Sequence, residues 1–173
     1  MRLKTYELTM FALLGTILFC SKILMEFLPN VHFLAVLTVT YTIVFRAKAL
    51  IPIYVYVFLN GIYAGFAPWW VPYLYLWTLL WGAAMLLPKN MPKKIAVPVY
   101  MGLCGLHGLG FGTLYAPVQA LFFGMNWQGM LAWIAAGFPW DALHGLSTFC
   151  AGVLVLPLVA LLRTISNRTV YRS

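Results

Sequence analysis

The sequence predicts an all-α, polytopic membrane protein: one domain over residues 1–173, six transmembrane helices, both termini in the cytoplasm. Three observations predict it. Of the 173 residues, 64% are hydrophobic and only 8% are charged, against about a quarter in soluble domains. So little charge cannot cover a water-facing surface. Apolar runs recur along the whole chain at the length, roughly 20 residues, that crosses a ~30 Å hydrocarbon core. The basic residues fall in alternate connections between those runs. Six spans and short loops use nearly all the residues, which leaves no room for a soluble catalytic domain or a nucleotide-binding cassette.

The first span is expected from about Tyr6 to Leu28, stopped by Pro29-Asn30. The apolar run after Arg2 and Lys4 is long enough to span and the chain stays apolar beyond it, so it reads as a span and not as a cleaved signal peptide. A short second span covers about Val31 to Phe45. The third covers about Ala47 to Phe66 and is broken by Ala67-Pro68. The fourth covers about Trp69 to Leu87, ending at Pro88, and the fifth about Ile95 to Phe123. The stretch Gly129 to Ile165 is too long for one span. Gly137-Phe138-Pro139 reads as a break, with Pro139 at the first helical position. The sixth span is then expected from near Pro139 to near Leu162. Residues 124–138 become an outer loop, with room for a short interfacial helix, and Gly124 to Gly137 is a candidate lid with Gly124, Gly129 and Gly137 as hinges.

Charge sets the orientation. Arg2 and Lys4 precede span one, and Arg46 and Lys48 separate spans two and three. Lys89, Lys93 and Lys94 separate spans four and five, and Arg163, Arg168 and Arg172 follow span six. The connections near Asn30, near Pro68 and over 124–137 hold no Lys or Arg. Basic loops lie on the cytoplasmic side, which places both termini inside and explains the net charge of +8 without nucleic acid. Trp69, Trp70, Tyr73 and Tyr75, with Trp127, Trp133 and Trp140, fall where aromatic belts sit; they are interface anchors or pocket walls. Cys20, Cys104 and Cys150 lie in apolar segments without metal spacing and behave as small hydrophobes.

Ionisable groups inside spans are functional candidates by default. Lys22 and Glu26 are one turn apart and can pair. His107 lies among Gly102, Gly105, Gly108, Gly110 and Gly112, a spacing that suggests close helix packing around a buried, hydrogen-bonded histidine. Asp141 and His144 are three apart and share a helix face. Lys22, Glu26, His32, Gln119, Asn126, Gln128, Asp141 and His144 lie toward the outer half, and Asn60 and Tyr63 at similar depth. That asymmetry suggests a polar cavity open to the outside. The substrate-binding candidates are Lys22, Glu26, His32, Asn60, Tyr63, Trp69, Tyr73, Gln119, Asn126, Asp141 and His144.

The last span opens with Pro139-Trp140-Asp141-Ala142-Leu143-His144-Gly145. This segment, with the six-span layout and the small size, resembles the substrate-binding S-components of energy-coupling factor (ECF) vitamin transporters. The resemblance covers the whole chain in layout and the short segment in detail. It implies high-affinity capture of a vitamin from outside, no enzymatic activity and no cofactor of its own. It also implies docking onto an ECF module, made of a membrane coupling subunit and two cytoplasmic ATPases. ATP hydrolysis there topples the S-component and releases the solute inside, in what is expected to be a bacterial plasma membrane. Family members often dock through Ala-x-x-x-Ala on span one. Here Ala12-x-x-x-Thr16, with Gly15 alongside, departs from that form and gives Ala12, Gly15 and Thr16 as docking candidates. Abundant aromatics and the absence of basic residues in the outer loops suit a large ring system with polar edges, cobalamin first and a flavin or other aromatic vitamin next. His32, His107 or His144 is available to a cobalt centre. Two readings of other classes stand beside this one. One is an intramembrane enzyme acting on a lipid or isoprenoid through Asp141, His144 and Glu26; the other is a small channel or structural subunit packed through the glycines.

Overall fold

A computed structural model of the chain describes residues 3–28 and 30–170, the last three by backbone alone. Arg2, Pro29 and Arg172, named above as flanking charges and a helix stop, lie outside the described residues, as does the Arg168 side chain. The described residues form eight α-helices and no strand: α1 (Thr5–Leu24), α2 (Leu34–Phe45), α3 (Leu50–Ala64), α4 (Tyr73–Met85), α5 (Lys93–Leu109), α6 (Phe111–Phe123), α7 (Trp127–Ala151) and α8 (Val155–Val170). By length and composition alone, four helical runs are long and apolar enough to cross a membrane: Thr5–Leu24, Leu34–Ala64, Lys93–Phe123 and Trp127–Asn167; the second of these doubles back at Arg46–Ala49.

Side-chain contacts fix the chain directions. The Tyr41 hydroxyl of α2 donates to Leu14 O of α1 at 3.2 Å, and Lys48 pairs with Glu7, so α2 runs against α1. Gly15 meets Val55 and Phe19 meets Tyr63, so α3 runs with α1. The chain therefore reverses between α2 and α3, through a 3-10 turn at Arg46–Ala49 that opens with Arg46 at φ +55°. Tyr54 and Trp70 tie α3 to α4, donating to Leu74 O and Val57 O at 2.8 Å each. His107 of α5 lies against Leu76 O of α4. Among the described residues, six segments alternate in direction: α1, α2, α3, α4, α5 with α6, and α7 with α8.

α2 is buried nearly all round, from Leu34 to Ile43. A helix apolar on every side belongs at the centre of a bundle, and α2 takes that place. α1 keeps Leu8, Leu13, Ile17 and Leu24 exposed, a face suited to lipid. The closest approach is between α5 and α7. A Cβ built on Gly108 would lie 2.5 Å from Thr148 Oγ1 and 3.0 Å from Gly145 Cα; one on Gly145 would lie 3.1 Å from Leu109 N. Of the five glycines expected to pack closely, Gly105, Gly108 and Gly112 meet α7, while Gly102 meets nothing within 4 Å and Gly110 only Leu106 O and His107 O.

Two expectations are corrected. Residues 127–138 are not a loop: α7 runs unbroken from Trp127 to Ala151 with Pro139 inside it. Pro139 removes one backbone hydrogen bond, but the apolar surroundings offer no water to compete for the rest, and the helix continues. The reversal is confined to Gly124–Asn126. Gly124 takes the left-handed conformation at φ +63°, and the Asn126 side chain caps α7 by accepting from Gly129 N at 2.8 Å. Gly129 and Gly137 lie within α7 and are not lid hinges. The last helical run breaks instead at Gly152–Leu154, where Gly152 presses on Met101 of α5.

Apart from Lys22 near the far end of α1, the described basic side chains gather at one end of the bundle. Lys48 reaches Glu7, Arg46 donates to the carbonyls of Met85 and Leu87, and Arg163 donates to Lys89 O at 2.6 Å. The turns at the other end carry none.

The glycine contact generates a stability prediction. Gly108→Val should lower the detergent-solubilised protein's thermal unfolding midpoint, at a cost of at least ~1–3 kcal/mol for overpacking. Gly102→Ala, whose added methyl meets nothing within 4 Å, should be neutral or gain up to about 1 kcal/mol in helix propensity. Tryptophan fluorescence on heating separates the two.

Candidate functional site

Helix periodicity sets i and i+4 on one face, and three helices each turn such a pair inward. α3 offers Tyr56 and Asn60, α4 offers Tyr73 and Trp77, and His107 at the end of α5 is followed by Phe111 opening α6. His144 faces them from α7, and His32 comes from the segment entering α2. The rings form a connected chain. His32 and His144 meet edge to face with centroids 4.6 Å apart, and His144 lies 5.2 Å from Phe111. Phe111 is 6.0 Å from His107, His107 is 5.5 Å from Trp77, and Trp77 is 5.9 Å from Tyr56. Tyr73 bridges Trp77 and Phe111. All three histidines of the sequence thus converge on one aromatic cluster.

Its polar atoms are unusual. Among the described residues, the buried side-chain nitrogens and oxygens without a hydrogen-bond partner are His32 Nδ1, His107 Nδ1, His144 Nε2, Trp77 Nε1, Tyr56 Oη, both amide atoms of Asn60, and Thr40 Oγ1 on α2. A buried polar atom left unpaired costs about 1–3 kcal/mol, and native domains keep few of them. Elsewhere this bundle satisfies its buried polar groups. Thr148 Oγ1 lies 2.8 Å from His144 O and 3.0 Å from Cys104 O, and Thr42 donates to Thr38 O at 2.7 Å. Apart from Thr40 Oγ1 on α2, the unpaired atoms are on the rings or one helical turn from them. They comprise fixed donors (Trp77), adaptable donors or acceptors (the histidines and hydroxyls) and one amide with both. Among the described residues no carboxylate or ammonium hydrogen-bonds to them, though the Lys22 ammonium is near enough to His32 to act on it electrostatically. Chemically, the cluster suits an uncharged, flat ring system with polar edges, held by stacking and several hydrogen bonds. No group of three or more His, Cys, Asp or Glu among the described residues is placed to hold a metal ion, so the three histidines form no metal site with one another.

Of the sequence candidates, the structure brings together His32, Asn60, Tyr73 and His144. Asp141 stands behind them, buried, with Oδ1 accepting from Gly112 N at 3.1 Å; it shares the α6-facing side of α7 with His144 and fixes that helix against α6. Trp69 borders the cluster, edge-on to Tyr73. Gln119 lies apart, in a groove of about 410 Å³ that it shares with Tyr115, Trp133, Trp140 and Asp141. Four candidates lie elsewhere. Lys22 and Glu26 pair with each other at 2.6 Å, as the spacing allowed. Tyr63 is 60% exposed and packs on Phe19. Asn126 is spent on capping α7.

Sequence reasoning missed Tyr56, Trp77 and Phe111; it took His107 as a buried hydrogen-bonder, as the structure shows. His107 Nε2 does contact Leu76 O at 3.2 Å, but its Nδ1 is unpaired. The i,i+4 recurrence of an aromatic with a polar or aromatic partner on three helices was the available signal. The docking stripe is split. Ala12 and Thr16 are exposed on α1, with Thr16 Oγ1 donating to Ala12 O at 3.0 Å. Gly15 is buried against Val55 and Pro52 of α3, so it belongs to internal packing.

A site that holds unpaired polar atoms should be stabilised by removing them. Asn60→Leu, a similarly branched apolar side chain, should raise the unfolding midpoint of the ligand-free protein, a gain of about 1–3 kcal/mol. Thr148→Val, which removes a satisfied hydroxyl, should lower it. A loss of stability in Asn60→Leu as large as that in Thr148→Val would show the amide to be ordinary core.

No family model, no curated protein and no solved structure matches the chain.

Proposed function

We propose that the chain is the solute-binding membrane subunit of an ECF-type vitamin importer, with its six alternating segments crossing the membrane and both termini inside. The observation that carries the reading is the buried cluster of unpaired donors and acceptors on aromatic walls. Such a cluster is costly in an empty protein and useful in one that must hold a polar-edged ring. The basic residues gathered at one end support the orientation through the positive-inside rule. The solute is a vitamin or vitamin-like nutrient. The unpaired ring and amide edges suit a compact heteroaromatic ring, and the rings, now in contact at 4.6–6.4 Å, would have to part to admit it. Cobalamin, which composition put first, is the larger alternative. Release inward belongs to the partner module of coupling subunit and ATPases, with the exposed Ala12 and Thr16 face of α1 available for docking. The enzyme reading has less support, because Asp141 spends a carboxylate oxygen on a backbone N–H and Glu26 is held by Lys22, away from His144.

Calorimetric titration of the purified chain with a panel of B vitamins and their precursors, cobalamin and riboflavin included, should give one stoichiometric hit. Asn60→Leu and His144→Phe should weaken that hit at least tenfold, about 1.4 kcal/mol or more. A folded protein that binds nothing in the panel, or variants that bind it unchanged, would remove the proposal's basis. The orientation has its own test in a cysteine-free background. A cysteine at position 126 should react with an impermeant maleimide on intact cells, and one at position 93 only after permeabilisation.

A further inference from the structure

At the basic end, α8 packs beside the turn joining α4 to α5 and leaves a groove of about 470 Å³. Lys89, Lys93 and Arg163 line its rim, and Tyr100, Leu156 and Ala160 its wall. The charge here has no counterpart in the chain. The sequence holds only three acidic residues, Glu7, Glu26 and Asp141, against eleven Lys and Arg. Glu7 is taken by Lys48 and Glu26 by Lys22. Asp141 accepts from Gly112 and stands twenty-two residues before Arg163 in the α7–α8 run. No carboxylate is left for the three cations of the groove.

We propose that this groove binds the phosphate of an anionic phospholipid. Three features select a lipid over a soluble anion. The cations converge from two segments held in place by the Arg163 bond to Lys89 O at 2.6 Å. That bond uses one guanidinium N–H and leaves the others of the planar fork for phosphate oxygens. Below the rim the wall is apolar, and Pro157 and Ala160 of α8 are exposed, so an acyl chain has a surface to lie on. Basic pockets between membrane helices on the cytoplasmic side bind anionic headgroups by this combination. The amino-terminal end of α5 at Lys93 adds its dipole. The site is independent of the transported solute and rests only on the chain lying in a bilayer.

The test compares the full chain with a Lys89→Gln/Lys93→Gln variant, which leaves Arg163 and its backbone bond intact. Both are placed in phosphatidylcholine nanodiscs with and without phosphatidylglycerol. The thermal midpoint of the unaltered chain should rise with phosphatidylglycerol, and native mass spectrometry should find one such lipid retained after delipidation. The double variant should lose most of the rise and retain several-fold less lipid, while Lys94→Gln, outside the groove lining, behaves as the unaltered chain. Equal retention by the double variant and the parent would overturn the proposal. So would a midpoint rise reproduced in full by inorganic phosphate in pure phosphatidylcholine, which would mark a free-anion site. If the double variant unfolds early, retention by Lys93→Gln alone decides, with unchanged retention counting against the groove.

Discussion

The structure depends on the contact between the α5–α6 run and α7, where glycine lets two backbones touch. In lipid no hydrophobic effect drives helices together; dispersion and interhelical hydrogen bonds must do it. Gly105 and Gly108 against Gly145 bring the helices close enough for both. The Thr148 hydroxyl then reaches Cys104 O across the interface. One turn further, the Asp141 carboxylate occupies the space that a side chain at Gly112 would fill, and takes its N–H. That bond fixes the rotation of α7 against α6. Fixing it brings His144 to Phe111, the ring that His107 also contacts. The site is a consequence of the helix contact, and a bulkier residue along the seam would displace both.

Against this tight seam, the aromatic cluster is where the bundle is least satisfied. Its unpaired atoms, at about 1–3 kcal/mol each, amount to a large share of the 5–15 kcal/mol by which proteins are ordinarily stable. The core around it has to carry that load. α2, enclosed on nearly every side, packs its Leu, Val, Ala and Ile side chains into that core, and Thr42 and Thr148 pair their buried hydroxyls with backbone carbonyls. A ring that supplied donors and acceptors to His32, Asn60, Trp77 and His144 would return much of the penalty as binding energy. Affinity would then come from desolvated atoms held ready and not from charge.

The sequence made the helical, apolar nature of the chain legible, because composition and run length report directly on solvent. It also made the Lys22–Glu26 pair and the glycine seam legible, since both follow from helical spacing alone. Chain reversals were read correctly at Arg46 and Pro68 but misplaced near Pro139. A proline two residues after a glycine reads as a stop in water, yet an apolar environment removes the competitor for the backbone bonds that remain. The site was legible in part. His32, Asn60, Tyr73 and His144 stood out as polar groups or aromatics at one depth. Tyr56, Trp77 and Phe111 did not, because an aromatic in an aromatic-rich chain carries no depth-independent mark. Helix rotation, which separates Gly15 from Ala12 and Thr16, is set by the partner helix and is written in no single segment.

Depth along the bundle links the basic end to the site. From Lys93 to His107 along α5 is fourteen residues, about 21 Å at 1.5 Å per residue. From Arg163 back to His144 is nineteen residues, about 28 Å by the same rise. The aromatic cluster therefore lies well over halfway across a ~30 Å core from the basic end. With the basic end inside, as proposed, a solute has a short path from the outer face and a long, well-packed one to the inner face. Tyr100, Leu80 and Val159, all buried, lie on that inner path. If the cluster holds a solute as proposed, inward passage past these buried side chains would require the helices to rearrange.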